Sequence, residues 1–389
     1  MTEKFRYLTA GESHGECLTA IIEGIPSGFE IDTDFINYEL KRRQRGYGRG
    51  DRMKIESDTV KIKSGVRFGK TTGAPICIEI QNKDYENWKI PLSIEKIDFN
   101  DLNALKIIAE KSFTKPRPGH ADYAGSKKYN LEDLRDVLER SSARKTAIET
   151  AVGAIAKCML KEFGIIGFSH VTQIYDVKLD LKSQNRTLLK EKAEKSELHC
   201  ADELVTELMK DRIDKAREQG DTLGGKFEII YGNLPIGLGS YVHWDRTLDG
   251  KLAQAIMSIS GVKAVEIGKG TEAAEMLGSE MQDEIFLENT LPSRTTNNAG
   301  GIEGGMTNGE PLIIRATMKP IPTMRKPLKT IDLLNNTETT AHFERSDTCA
   351  VPACSVVAEA KVAIILISEF LEKFGGDSLK EIKANYENR

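Results

Sequence analysis

The chain has 389 residues, of which 39% are hydrophobic and 29% charged, with a formal net charge of −4 at pH 7. Such a chain can bury a large core as one big domain or two ordinary ones, and its slight acidity argues against a general nucleic-acid binder. No run reaches the roughly 20 consecutive apolar residues of a membrane helix, and the start, MTEKFRYLTAGESHG, has no apolar leader, so a cytoplasmic protein with no membrane partner is expected.

In chain order, residues 33–45 (TDFINYELKRRQR) read as a helix with Thr33 or Asp34 near its N-cap. Residues 59–81 alternate in polarity and turn at Gly65 and Gly73, as antiparallel strands do. Residues 142–163 (SARKTAIETAVGAIAKCMLKEF) predict a long Ala-rich helix closed by Gly164. A strand follows over 165–176, a helix over 201–218 that ends at Gly220, and a strand at GKFEIIYG. Residues 248–260 predict a helix, VKAVEIG and 311–318 predict strands, and 355–374 a buried helix closed by Gly375. No repeat, low-complexity tract or linker marks a boundary, so a single domain over 1–389 is expected. Hairpin-like strand pairs between long apolar helices argue against a doubly wound sheet. They predict an α+β chain with helices layered against antiparallel sheets.

Two motifs imitate other chemistry. GESHG (11–15) fits the nucleophile elbow G-x-S-x-G, but only a dozen residues precede Ser13 and a strand-like segment, ECLTAIIEG, follows it. GVRFGKT (65–71) is one residue short of a phosphate-binding P-loop and runs into a strand containing a proline, so it reads as a β-turn. The six cysteines include no C-x-x-C pair, which predicts free, mostly buried thiols and no metal site.

Other segments combine into a site. KRRQRGYGRGDR (41–52) holds six cationic side chains in twelve positions and ends in a flexible loop where guanidinium forks can converge on carboxylate or phosphate. KPRPGHADYAG (115–125) sets Arg117 and His120 on a loop stiffened by Pro and Gly. LERSSARKTA (138–147) places Arg140, Ser141, Ser142 and Arg144 at an expected helix start, where an anion could bind. NNAGGIEGGMTNGEP lets backbone approach a flat ligand, KPIPT (319–323) is a rigid turn, and FERSDTCAVPA adds Arg345 and Asp347. Many arginines, two histidines, hydroxyls and a single late aspartate suit a polyanionic small molecule and proton transfer without metal. His170, His199, His243 and His342 read as structural or solvated. A polyanion-binding protein and a flavin oxidoreductase are the alternatives.

GESHG, RRQRGYGRGDRMKIESD, SGVRFGKTTGAPI, RPGHADYAG, RSSAR, MSISGVKAVEIG, AGGIEGGMTNGEP, MKPIPT and ERSDTCAVPA, in that order along nearly the whole chain, resemble chorismate synthase. The departures are Arg45 where the family usually has proline, Asp51 where glycine is common, Lys145 for a usual glutamate and Asn298 for a frequent arginine. The resemblance implies a single-domain fold with a core of long helices sandwiched between antiparallel sheets, and a homotetramer. It implies the 1,4-anti elimination of phosphate from 5-enolpyruvylshikimate 3-phosphate to give chorismate, the final shikimate-pathway step towards aromatic amino acids. Reduced FMN serves there as a non-consumed electron donor. By the same resemblance, His14 protonates the leaving phosphate and His120 protonates or holds the reduced flavin. Asp347 helps deprotonate flavin N5, with Ser13 and Ser142 as relay hydroxyls. FMN is placed against Arg140, Ser141, Ser142, Ser260, Gly261, Gly304, Lys319, Pro320, Ile321, Pro322, Thr323 and Arg345. Arg43, Arg49, Arg52, Arg117 and Arg144 are left for substrate or NADP. Some members reduce their flavin with NADPH. The absence of a G-x-G-x-x-G unit here predicts a monofunctional enzyme reduced from outside.

Overall fold

A computed structural model describes residues 4–50, 57–181, 188–326, 328–344 and 346–388. Period-two burial sets its first sheet. Strands β1 (Arg6–Ala10), β2 (Cys17–Glu23), β3 (Val60–Ile62) and β4 (Ile76–Gln81) pair antiparallel in the order β1-β2-β4-β3. Leu18, Ala20 and Ile22 stand opposite Ile80, Ile78 and Ile76, and all six are buried on one face. A second, five-stranded antiparallel sheet is built from β5 (Ile166–Ile174), β6 (Val177–Lys178), β7 (Gly225–Gly232), β8 (Val262–Ile267) and β9 (Leu312–Met318), in the order β8-β9-β7-β5-β6. Its inner face presents Phe227, Ile229, Tyr231, Leu312, Ile314 and Ala316.

Between the sheets lie α1 (Thr33–Gln44), α4 (Thr146–Lys161) and α7 (Val351–Phe374); α2 (Asp122–Tyr129), α3 (Leu134–Ser141), α5 (Glu203–Glu218) and α6 (Leu248–Met257) complete the main helices. Helix α4 covers the first sheet, α7 covers the second, and the two pack on each other with α1 against both. One contiguous apolar core therefore runs through both sheets and the helical layer. The α4–α7 approach depends on Gly153: a Cβ there would lie 2.4 Å from the Ala360 Cβ. By length and composition α7 could cross a membrane, but 94% of its most apolar window is buried within the fold. It carries Glu359 into a buried cluster with Glu39, Arg42 and Lys157. Burial alone would raise the Glu359 carboxyl, but Arg42 and Lys157 hold it well below the usual carboxylate range.

The expected α+β class and helix-between-sheets architecture are what the structure shows. Boundaries differ in instructive places. Asp32, not Thr33 or Asp34, caps α1, its side chain accepting the Phe35 N–H at 2.8 Å. The helix expected from Ser142 starts at Thr146, because a separate helix, α3, ends at Ser141 and Ser142 breaks the run. The last long helix starts at Val351 rather than 355, with Pro352 accepted in its first turn. GVRFGKT is a tight hairpin, with Phe68 and Gly69 both at positive φ in its turn. All six cysteines are free, three of them buried, and the described residues contain no cluster that could hold a metal.

Candidate active site

The turn between β1 and β2 carries Ser13 and His14. Gly11 opens it at φ +103°, where a Cβ would sit 2.2 Å from the Cys17 carbonyl oxygen, so only glycine fits. The turn is anchored on the last turn of α3. Ser13 donates its N–H to the Glu139 carbonyl (2.9 Å), and the Ser13 hydroxyl donates to the Ser142 hydroxyl (3.0 Å). The Glu139 carboxylate accepts both the His14 backbone N–H (2.8 Å) and the His14 ring at Nδ1 (2.8 Å). The other partners of this carboxylate and ring are Arg135, whose Nη1 is 3.6 Å from Glu139, and Trp88, stacked on the imidazole with centroids 4.1 Å apart. Arg135 also reaches Glu344 at 2.7 Å, which ties α3 to the segment leading to Asp347. Burial would raise the Glu344 carboxyl, but His342 and Arg135 bring it down to about 2.

Behind this turn lies a buried group of guanidiniums. Asp58 accepts from Arg144 Nη1 (2.6 Å) and Arg43 Nη1 (3.3 Å), while Arg144 Nε donates to Asn82 (2.9 Å) and Arg43 Nε to Thr146 (3.0 Å). Burial, aided by the like charges of Arg144 and Arg49 and opposed by Asp58, lowers Arg43 to about 10. The Arg144 backbone N–H donates to the Ser142 hydroxyl at 3.3 Å, so the residue that meets Ser13 also caps the turn that carries Arg144. Asp347 lies alongside, accepting the Gly50 N–H (2.7 Å) and pairing with Arg49 (3.0 Å).

The second histidine has a parallel setting. Asp122, the first residue of α2, is buried and accepts His120 Nδ1 (2.5 Å) together with Arg117 Nε (2.8 Å) and Nη2 (2.9 Å). Burial alone would raise Asp122, yet Arg117 and His120 hold it far below the ordinary range. Arg117 Nη1 donates to Thr323 (3.1 Å), Lys319 Nζ donates to the Gly119 carbonyl (2.6 Å), and Ser346 donates to the Thr323 carbonyl (2.7 Å). The Lys319–Thr323 loop, through Pro320, Ile321 and Pro322, thus locks onto the His120 loop. Its backbone also meets the Ser260–Gly261 turn, where the Lys319 N–H donates to the Gly261 carbonyl at 2.9 Å.

Ser13, His14, Ser142, Arg43, Arg49, Arg144 and Asp347 are therefore brought together, with Arg117, His120, Lys319 and Thr323 as a second group beside Asp347 and Ser346. Arg140 turns to the edge, donating to the Thr9 and Gly11 carbonyls, and the Ser141 hydroxyl is spent on the Val137 carbonyl. Both residues end a helix instead of starting one, which corrects the expected anion-ready helix start. Gly304 lies on a separate hairpin, 302–307, next to Tyr241. Arg52 and Arg345 lie outside the described residues. The expectation of a single late aspartate is also corrected: Asp58, Asp122 and Glu139 each neutralise a site arginine or hold a site histidine. Sequence reasoning named none of the three as partners, nor Trp88, although Glu139 and Asp122 sit inside LERSSAR and RPGHAD.

Histidines held on buried carboxylates beside packed guanidiniums can move protons next to fixed positive charge, an arrangement that suits an enzyme acting on a small molecule. The chorismate synthase family description matches residues 5–371. Chorismate synthase of Carboxydothermus hydrogenoformans is 52% identical, with 99% of this chain and 98% of that protein covered. The enzyme of Aquifex aeolicus is 50% identical, covering 98% and 96%. A crystal structure of chorismate synthase superimposes with a TM-score of 0.78 at 41% identity, over 99% of this chain and 96% of the other. The chain belongs to the chorismate synthase family, and the enzyme class is that of the carbon–oxygen lyases.

Proposed function

We propose that the protein converts 5-enolpyruvylshikimate 3-phosphate to chorismate and phosphate by 1,4-anti elimination, with reduced FMN as a cofactor that is not consumed. One carbon–hydrogen and one carbon–oxygen bond break, one carbon–carbon double bond forms, and a proton and phosphate leave, so the reaction has no net redox change. The observation that carries this reading is the turn of Ser13 and His14, held by Glu139 and by the Ser13–Ser142 hydroxyl bond, with Ser142 two residues before Arg144, whose buried guanidinium shares Asp58 with Arg43. A proton donor and fixed positive charge on neighbouring segments are what a departing phosphate requires.

The second group of residues fits a phosphorylated, carbonyl-rich cofactor. Lys319, Arg117 and Thr323 offer donors, and the bare backbone at Gly119 and Gly261 leaves room where a Cβ would come within 3.2 Å of Lys319 and Met318. Reduced FMN bound there would supply the electron that lets the phosphate ester break and take it back afterwards. His120, fixed by Asp122, would hold a proton at the cofactor's edge, and Asp347, paired with Arg49, would accept one. His14 Nε2 would deliver a proton to the departing phosphate, which Arg43 and Arg144 would hold.

On this reading the protein works in the cytoplasm as a homotetramer, with reducing power, NADPH included, arriving from outside. Its exposed 285–294 hairpin, with Ile285, Leu287 and Leu291 in solvent, is a surface a second copy would cover. The test is an anaerobic assay with the phosphorylated substrate and dithionite-reduced FMN. Chorismate and phosphate should form in equal amounts, and oxidised FMN should give none. His14→Ala should lower kcat by about 100-fold or more. Reduction of an added acceptor without phosphate release would instead indicate a flavin oxidoreductase.

A further inference from the structure

The mechanism above uses His14 but not the groups that hold it. Glu139 is 3% exposed, and both its carboxylate oxygens face the same residue, taking the His14 backbone N–H and the ring Nδ1. The Glu139 backbone carbonyl also accepts the Ser13 N–H, so one residue fixes the turn at both positions. On the ring's face, Trp88 stacks at 4.1 Å and 25°, itself steadied by a hydrogen bond from Nε1 to Asp84 (3.2 Å) and by the cations of Lys111 and Arg135, 4.7 and 5.1 Å from its centroid. Trp88 blocks tilting of the imidazole and Glu139 blocks its rotation. An anionic carboxylate can only accept, so a neutral His14 ring must carry its proton on Nδ1. That assigns Nε2 as the nitrogen that exchanges protons with the substrate.

We infer that Glu139 is a positioning residue for the reaction: with Trp88 behind the ring, it sets the tautomer and angle of His14 and presents Nε2 to the departing phosphate. The inference rests on the proposed function for its kinetic consequence, but not for its geometry. Glu139→Gln keeps the shape while offering one acceptor and one donor to two N–H groups. The ring N–H and the backbone N–H cannot then both be satisfied, and the ring loses its enforced tautomer, as an amide does to the serine-protease triad histidine.

The experiment compares wild type, E139Q, E139D, H14A and the H14A/E139Q double variant. In [15N]histidine NMR of the flavin-free protein, wild-type His14 at a pH where the ring is neutral should carry its proton on Nδ1, and E139Q should move proton density to Nε2. In the anaerobic assay E139Q should lose on the order of 100-fold in kcat with KM within about threefold, and E139D, which keeps two acceptors, should recover part of it. E139Q should cost no more than about threefold on top of H14A, because a group that acts through His14 has nothing left to act on. An unchanged tautomer in E139Q would overturn the inference, as would the full loss recurring in the H14A background. If E139Q does not fold, E139D and the NMR of wild type decide: an Nε2-protonated ring in the wild type overturns it. A wild type that makes no chorismate but shows the Nδ1–H tautomer would sink the proposed function and leave the positioning intact.

Discussion

Charge in this site is arranged in triplets. His120, Asp122 and Arg117 form one, and His14, Glu139 and Arg135 another, while Arg43 and Arg144 share Asp58. A buried guanidinium or imidazolium alone would be costly, and a carboxylate between two such groups offsets their desolvation. Removing the shared anion should therefore cost far more than a surface ion pair. Asp122→Asn is expected to lower unfolding free energy by about 3 kcal/mol, read from urea transitions at pH 7. The sign is fixed by its depressed pKa: this stabilisation is present above the ordinary carboxylate range and is lost as pH falls below about 4, so the gap between wild type and variant should narrow there. Asp58→Asn strands two close guanidiniums and should cost a similar amount of unfolding free energy. At this scale the sequence was legible only where partners are adjacent. His14, Ser13, Arg144 and His120 sit in short motifs, whereas Asp58 meets Arg144 across 86 residues and Trp88 reaches His14 from a segment with no motif at all.

Among the elements, the contact between α4 and α7 decides how closely the helical layer can pack. Gly153 lets the backbones meet, with its imagined Cβ 2.4 Å from the Ala360 Cβ and 2.7 Å from its Cα and carbonyl oxygen. Gly153→Ala should destabilise the fold by about 1–3 kcal/mol through overpacking, despite alanine's better helix propensity, and Ala360→Gly in the same chain should recover part of the loss in urea midpoint. Period-two and period-3.6 patterns were strong enough to show β7, β9, α4 and α7 in the sequence, because one face of each is wholly apolar. Helix α3 was missed for a physical reason. Its run LRDVLERS is only two turns long, so Leu134, Val137 and Leu138 mark an apolar face too briefly to stand out, and the buried Arg135 and Glu139 beside them read as solvent-facing charges. The helices at 102–111 and 379–387, short and mostly exposed, gave too weak a pattern to find.

For the molecule as a whole, acid sensitivity follows from groups that the fold keeps out of water. His199 is buried beside Arg42 and Glu359, held at φ +55°, and burial lowers it to about 4. The unfolded chain binds a proton at about pH 6.5 and the folded one does not, so stability falls as pH drops through that interval. Between pH 7 and 5 the loss from this group should be about 2 kcal/mol. His199→Asn, which tolerates positive φ, should flatten that part of the stability profile. The site too belongs to this scale, since the His14 turn joins strands of the first sheet and the Lys319 loop follows a strand of the second. On the proposed function the flavin is required yet not consumed. The most direct test is an anaerobic reaction with the flavin reduced once, at a small fraction of the substrate concentration, and no further reductant. The account predicts many chorismate molecules and as many phosphates per flavin, with the flavin spectrum still reduced at the end; one product per flavin, or a flavin left oxidised, would contradict it.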